Sequence, residues 1–413
     1  MTQEYQEHWS KTSKLIFKIL FAYFTLYALF ILLDPFFEPL FRWVGILVFK
    51  IDYEYTVGGT ASGDTTYKYL SSFVNAILTL LIVPIWHFLD NSRKNYNTLF
   101  YWFLVLLRII LIATMFLYAF VKIFKVQFHS ASLTHLLEPL GNLYPNRLAW
   151  SFFGFSESYN VFLGSLELLG GLLLIPRRTQ TLGSLIILGV MTQVLVMNFT
   201  FDIAVKLFSI HLVLMALIVF VTDNRFINVF IRNKGVESYK YFNPISNKKY
   251  HKVIFWVKSI GLIIIIGLLS YNFYTVEKLK GDKRVKPILY GIWEVSNFIK
   301  NGDTLPPLTT DDYRWRYLIV DFKDKATIKT MDEVKHKYTF ITDSTSKKII
   351  VNKNDTESNE YNFEYVNSNS DELILNGIMD LDTLEISLIK VNHREFNLYS
   401  REFNWIIERP YND

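Results

Sequence analysis

The chain reads as an α-helical polytopic membrane protein of about seven transmembrane helices followed by an all-β domain, barrel or sandwich, and three observations carry that reading. Of its 413 residues 51% are hydrophobic, and the mean hydropathy is +0.21; soluble proteins of this size seldom stay positive on that scale. Seven apolar stretches, about 15 to 33, 70 to 89, 99 to 121, 159 to 175, 181 to 199, 204 to 222 and 253 to 274, reach the roughly 17 to 25 residues that a bilayer requires. Hydrophobicity then stops near Tyr274, and the last ~130 residues alternate short β-rich runs with turn chemistry.

The first stretch follows a charged leader, MTQEYQEHWSKTSK, and lacks a small-x-small cleavage site, so it is expected to be retained as a span. Residues 1–98 hold two spans and an outer loop. Its first half, PFFEPLFRWVGILVFKI, is apolar enough to lie at the interface as a helix, while DYEYTVGGTASGDTTY is solvated. Spans three to six occupy residues 99–225. A long outer connection, VQFHSASLTHLLEPLGNLYPNRLAWSFFGFSESY, joins spans three and four. Its Pro139, Gly141 and Pro145 forbid one continuous helix, and its Leu, Trp and Phe hold it against the membrane. Ser156 and Glu157 read as the cap and first turn of span four. Residues 226–275 form a basic loop and the seventh span.

Orientation follows from the loop cations. Arg225, Arg232, Lys234, Lys240, Lys248, Lys249 and Lys252 crowd the segment before span seven, and Lys11, Lys14, Arg93, Lys94, Arg177 and Arg178 fall on the same side. That side is expected to be cytoplasmic, with the N-terminus inside and residues 276–413 periplasmic, in the inner (cytoplasmic) membrane of a Gram-negative bacterium. The formal charge of +5 is then a topogenic bias with no nucleic-acid meaning. The chain has no cysteine, which removes disulfides, thiolate nucleophiles and Cys-ligated metals. No metal-ligand spacing, phosphate-binding glycine motif or serine nucleophile elbow occurs, so no catalytic residue is nominated and the chain reads as more a binder than an enzyme.

Charges inside apolar segments are expensive and mark where function is concentrated. Arg108 and Glu167 both lie roughly 12 to 14 Å from the cytoplasmic edge when depth is counted at ~1.5 Å per residue from the predicted inner ends. They are expected to pair, either as a structural ion pair that fixes helix register or as a proton or head-group site. Asn198, Asp202 and Lys206 recur every four residues and share a helical stripe if the link between spans five and six is helical. With Lys122 and Gln127 at the end of span three and His211 below Lys206, they form the candidate ligand site on the outer side. The competing reading is snorkelling and interface satisfaction. Arg177, Arg178 and Thr179 make a tight inner turn, and Gly164, Gly170, Gly171 and Gly183 permit close helix packing.

AFVKIFKVQF, FLGSLELLGGLLLIPRRTQTLGSL and NFTFDIAVKLFSIHLVLMALIVFVTDNR together resemble the DoxX-like membrane proteins, a four-helix family, over about residues 100–225. The resemblance implies a four-helix core more strongly than an activity. Some members are thought to be subunits of quinone-linked oxidoreductases, and others are linked to cargo or lipid handling. Relatives that use thiol chemistry are no guide to a chain without Cys. At the start of the last domain, LYGIWEV with its Gly291-x-Trp293 weakly resembles the first strand of lipocalin-like barrels. There the resemblance implies a Trp plug under a late Arg, for which Arg401 or Arg409 is available. It also implies space for one small apolar ligand, against a filled barrel or sandwich used for protein contact.

These readings define the expected function. The chain binds or passes an amphipathic ligand, a lipid or a quinone, or scaffolds an envelope complex. The alternatives are a membrane subunit of a quinone-linked oxidoreductase, with quinone as its cofactor, and a partner-binding anchor whose β domain meets other envelope proteins.

Overall fold

The computed structural model describes residues 8–55, 62–90, 92–236, 242–244, 248–353, 360–400 and 405–408. The chain divides into two compact units, one of Met1–Gln127 with Ser156–Val276 and one of Phe128–Phe155 with Glu277–Asp413. The long connection between the third and fourth apolar stretches therefore belongs to the same unit as the β strands. Its expected place with spans three to six, within residues 99–225, is corrected by that division.

The first unit is helical. Its elements are α1 (Lys11–Leu32), α2 (Asp34–Phe49), α3 (Thr66–Leu89) and α4 (Asn97–Ile123), then α7 (Glu157–Leu174), α8 (Gln180–Thr200), α9 (Lys206–Val221) and most of α10 (Lys248–Lys280). Between α4 and α7 the second unit contributes α5 (Leu133–Leu136) and α6 (Pro145–Phe155). Side-chain caps start several helices: Ser10 accepts from Ser13 N at 3.0 Å, and Ser156 accepts from Tyr159 N at 3.2 Å. Among the described residues five helices, α1, α3, α4, α8 and α10, are long and apolar enough to cross a membrane. The other two predicted spans are shorter. At 18 and 16 residues, α7 and α9 measure ~27 and ~24 Å, under the ~30 Å of a typical hydrocarbon core.

Helices α4, α7, α8 and α9 pack as a closed ring of four, each on its neighbours, with α1 against α4 and α2 and α3 against α1. The core is aliphatic and aromatic, centred on Phe17, Phe103, Leu107, Met115, Met191 and Leu212. Close approach of α7 to α4 requires Gly164, where a Cβ would stand 2.7 Å from Ala119 O and 2.8 Å from an Ile123 side-chain carbon. No residue in the apolar window of α10 is buried.

The second unit is built on an antiparallel meander: β1 (Gly291–Lys300), β2 (Asp303–Thr304), β3 (Trp315–Phe322), β4 (Lys325–Thr330), β5 (Lys335–Asp343), β6 (Lys348–Lys353), β7 (Glu360–Asn369), β8 (Glu372–Met379) and β9 (Asp382–Val391). Each strand pairs with the next along the chain, except that the two-residue β2 pairs only with β1 and β1 passes on to β3. Pairing of β1 with β9, from Ile292 opposite Val391 to Lys300 opposite Leu384, closes eight strands into a barrel and resolves the barrel-or-sandwich alternative. Inward positions alternate with exposed ones, and the interior is a packed core that includes Trp293, Phe298, Trp315, Leu318, Phe363 and Leu373. Gly291 opens β1 at φ +150°, where a Cβ would meet the Lys390 side chain at 2.9 Å. Leu133 of α5 packs with Ile292 and Ile319 in a second, smaller cluster that also takes in Tyr290 and Phe396. The chain then runs through α11 (Asn397–Ser400). Arg401 and Arg409, which the barrel resemblance sets over Trp293, lie outside the described residues. Among the described residues, Lys390 places its Nζ 5.3 Å from the Trp293 ring centre.

Candidate functional site

The sequence-predicted residues of the helical unit separate into distinct groups. Glu167, 1% exposed, takes Lys122 as its partner: Lys122 Nζ donates to Oε1 at 2.7 Å and Oε2 at 2.9 Å, and stands 5.1 Å from the Tyr118 ring centre. The expected pairing with Arg108 is therefore corrected. Gly164 lies against Ala119 and Ile123, and Gly171 lies against Phe116, so Glu167 is level with residues 116 to 123 of α4. Arg108 lies eight residues further back, ~12 Å away along the axis. Counting depth from the inner ends assumed that those ends are level, whereas α4 has 27 residues and α7 has 18. Arg108 reaches the C-terminus of α7 instead. Its guanidinium donates to Leu174 O at 2.9 Å and Ile175 O at 2.7 Å, satisfying carbonyls that the helix end leaves open.

The four-residue stripe is also corrected. Helix α8 ends at Thr200, and Asp202 adopts the left-handed conformation at φ 50°, so no helix connects Asn198 to Lys206. Asp202 is 85% exposed, yet Lys206 Nζ still reaches it at 2.7 Å. A residue not singled out beforehand, Asp64 in the Gly- and Thr-rich loop, accepts from Lys206 N at 2.8 Å and Leu207 N at 3.0 Å and so caps α9. Its carboxylate also lies 3.9 Å from Lys206 Nζ. The G-D-T-T pattern just before α3 was the available signal, since an acidic loop residue is a ready helix cap. Asn198 Nδ2 donates to Ser209 Oγ at 3.1 Å. Gln127 Oε1 is buried without a hydrogen-bond partner among the described residues. His211 is held by its own backbone, with Nδ1 2.8 Å from Leu207 O, which leaves Nε2 to meet Tyr23 OH at 2.9 Å. Its ring stacks on Tyr27 with centroids 4.2 Å apart.

A gathering of cations around a cavity lies in the second unit. A cavity of ≈ 550 Å³ is lined by residues of the 128–155 connection, of the stretch that leads from α10 to β1, and of the segment after β9. That volume falls within the ~300–1,000 Å³ range of small-molecule sites. Its wall carries five arginines and lysines, Arg147, Lys280, Arg284, Lys286 and Arg394, against two carboxylates, Asp282 and Asp321. Both carboxylates already have partners. Asp321 pairs with Arg284 and accepts from Leu133 N at 3.0 Å, and Asp282 accepts from Ser130 Oγ at 2.7 Å. Among the described residues Arg147, Lys280, Lys286 and Arg394 stand in no ion pair. Trp150 and Phe322 supply apolar wall, so the cavity pairs excess positive charge with aromatic surface.

Burial, and then the surrounding cations, hold His135 and His393 in this wall below the ordinary histidine value. Arg147 and Lys335 oppose charge on His135, and Lys286, Arg394 and Lys390 oppose it on His393; Asp321 favours charge on both. Burial pushes the Tyr290 hydroxyl up to about 12. For a histidine whose folded value lies below its unfolded value of about 6.5, the unfolded chain takes the proton first. Stability of this unit is therefore expected to be complete above pH 6.5 and to fall as the pH drops below it. Hydrogen exchange of the barrel amides at pH 7.5 and 5.5, corrected for intrinsic rates, measures this, and the difference should shrink in a His135→Gln, His393→Gln variant.

No family model matches the chain, and no solved structure matches it. It is similar to the uncharacterized protein YwoB of Bacillus subtilis (strain 168), with 37% identity over 92 residues, 22% of this chain and 59% of the relative. The chain thus spans about three fifths of the length of that curated relative.

Proposed function

We propose that this chain is a bacterial cytoplasmic-membrane protein that holds an amphipathic ligand, a lipid or a quinone. In this reading its N-terminus is cytoplasmic, its barrel unit is periplasmic, and its four-helix ring is DoxX-like. The basic loops support the orientation, and the ring of α4, α7, α8 and α9 supports the resemblance. The observation that carries the binding reading is the ≈ 550 Å³ cavity, whose wall sets four cations that stand in no ion pair among the described residues beside Trp150 and Phe322. Its polar groups would fix a head, and its aromatic wall would meet apolar atoms. The interior of the barrel is packed, so the ligand site implied by the lipocalin-like resemblance moves from inside the barrel to this cavity.

Mass spectrometry of the intact chain released from mild detergent tests the proposal. One amphipathic molecule per chain is expected, and it should be lost from a Lys280→Ala, Lys286→Ala variant that remains folded. A uniformly ligand-free wild-type chain would overturn it.

One observation favours the second reading, a membrane subunit of a quinone-linked oxidoreductase. His211 lies between Tyr23 and Tyr27 inside the helical unit, an arrangement able to pass a proton between hydroxyl and imidazole. A co-purified quinone lost on His211→Phe, with the cavity variant unaffected, would favour it over the first.

A further inference from the structure

We propose that the head group held in the basic cavity is a polyanionic phosphate, a phosphomonoester or diphosphate, carried on a lipid whose chains lie against α6. This rests on the binding reading above and names its ligand class. Charge count is the first argument. Four cations on one wall, without carboxylate partners among the described residues, match a head with two or more negative charges better than one phosphodiester charge, a zwitterion or a neutral quinone. Arg147 and Arg394 offer forked donors suited to phosphate oxygens, while Lys280 and Lys286 add point charges.

The second argument is α6 itself. Arg147, Trp150 and Ser151 of this helix line the cavity. Tyr144 just before it, with Leu148, Phe152 and Phe155, forms an adjacent stripe that is exposed: Tyr144 77%, Leu148 43%, Phe152 67% and Phe155 57%. One helix thus presents a phosphate-binding face and an apolar face side by side, the arrangement of an interfacial helix.

Covalent continuity supplies the third argument, and it selects a lipid over a free phosphate. Only Ser156 separates α6 from α7, and Lys280 is the last residue of α10, whose apolar window qualifies it to cross a membrane. Lys280 lies six residues past Tyr274, where the apolar run stops, hence ~9 Å beyond it along the helix. Head groups add ~5–8 Å on each side of the hydrocarbon core, so the Lys280 backbone emerges at the outer edge of the head-group layer, from which its long side chain can reach back to lipid phosphates.

The test reconstitutes the full chain in phosphatidylcholine nanodiscs containing equal mole fractions of phosphatidic acid and phosphatidylglycerol, and counts retained lipids by native mass spectrometry. Phosphatidic acid is expected to be retained at least fivefold over phosphatidylglycerol. Arg147→Gln with Arg394→Gln, both at exposed positions, should reduce that preference by roughly tenfold or more. Leu148→Ser with Phe152→Ser should reduce retention while leaving weak binding of inorganic phosphate unchanged. Equal retention of the two lipids, or full displacement of phosphatidic acid by millimolar inorganic phosphate, would overturn the inference. A retained amphipath that lacks phosphate would also overturn it and leave the broader binding reading standing.

Discussion

Replacing Lys122 by Met while Glu167 stays in place is expected to destabilise the helical unit by about 3–5 kcal/mol, the cost of leaving one member of a buried pair uncompensated. The pair qualifies because its two side chains are 6% and 1% exposed and its two contacts are 2.7 and 2.9 Å long. Glu167→Gln is milder, since the amide oxygen still accepts from Lys122 and the shape is kept. The informative variant is the double Lys122→Met, Glu167→Leu, in which no charge remains to be solvated. If the pair serves only to fix the register of α7 on α4, this double variant should melt within about 1 kcal/mol of wild type or above it, because well-packed apolar replacements of buried pairs are often neutral or stabilising. Thermal unfolding in mild detergent measures all three. A double variant as unstable as Lys122→Met alone would mean that the pair contributes more than mutual neutralisation. The Gly164 contact with Ala119 and Ile123 already sets the same register without charge, which is why near-neutrality is the expected outcome.

That pair also shows where sequence reading stops. The apolar stretches were legible because a bilayer demands length and hydropathy, and each of the seven coincides with one of α1, α3, α4, α7, α8, α9 and α10. The barrel strands were legible through alternation and turn residues, although which strand closes on which depends on the β1–β9 pairing, in which Asn297 stands opposite Ser387. Glu167 and Lys122 were both picked out as costly charges, and only their pairing was misplaced, because relative helix depth is a tertiary quantity. Asp202 breaks a spacing that looked helical by adopting a left-handed turn, a local choice open to Asp that periodicity does not record. The basic cavity was least legible. Its cations come from three separated segments, and the run EKLKGDKRVKP, which holds Lys280, Arg284 and Lys286, carries charge without the spacing of any ligand-binding motif. Leu133, packing with Ile292 and Ile319, brings the 128–155 connection into the same unit as that linker.

Trp293→Ala is expected to cost the barrel unit about 3–5 kcal/mol, a large part of the roughly 5–15 kcal/mol that a domain commands. Three terms meet at this side chain, and their sizes decide the ranking. Removal of a ring that is 1% exposed leaves a cavity in the core, and this is the dominant loss. The Nε1 donor to Leu289 O, 2.9 Å away, is worth about 1–3 kcal/mol when its acceptor is left unsatisfied. Lys390 over the ring adds about 0.5–1 kcal/mol. Trp293→Phe, which keeps most of the apolar fill and loses the donor, should therefore fall between wild type and Ala, and Lys390→Ala should change little. Hydrogen exchange in β1 and β9 is the direct measurement, because Trp293 sits opposite Lys390 at the seam that closes the barrel. Wild-type protection in Trp293→Ala would refute the role of the ring as the core of that seam. The same seam carries the cavity: Lys286 and Tyr290 lead into β1, and His393 and Arg394 follow β9. Opening of the seam should therefore release retained phosphatidic acid from Trp293→Ala, while Lys390→Ala keeps it, so that barrel closure and head-group binding fail together.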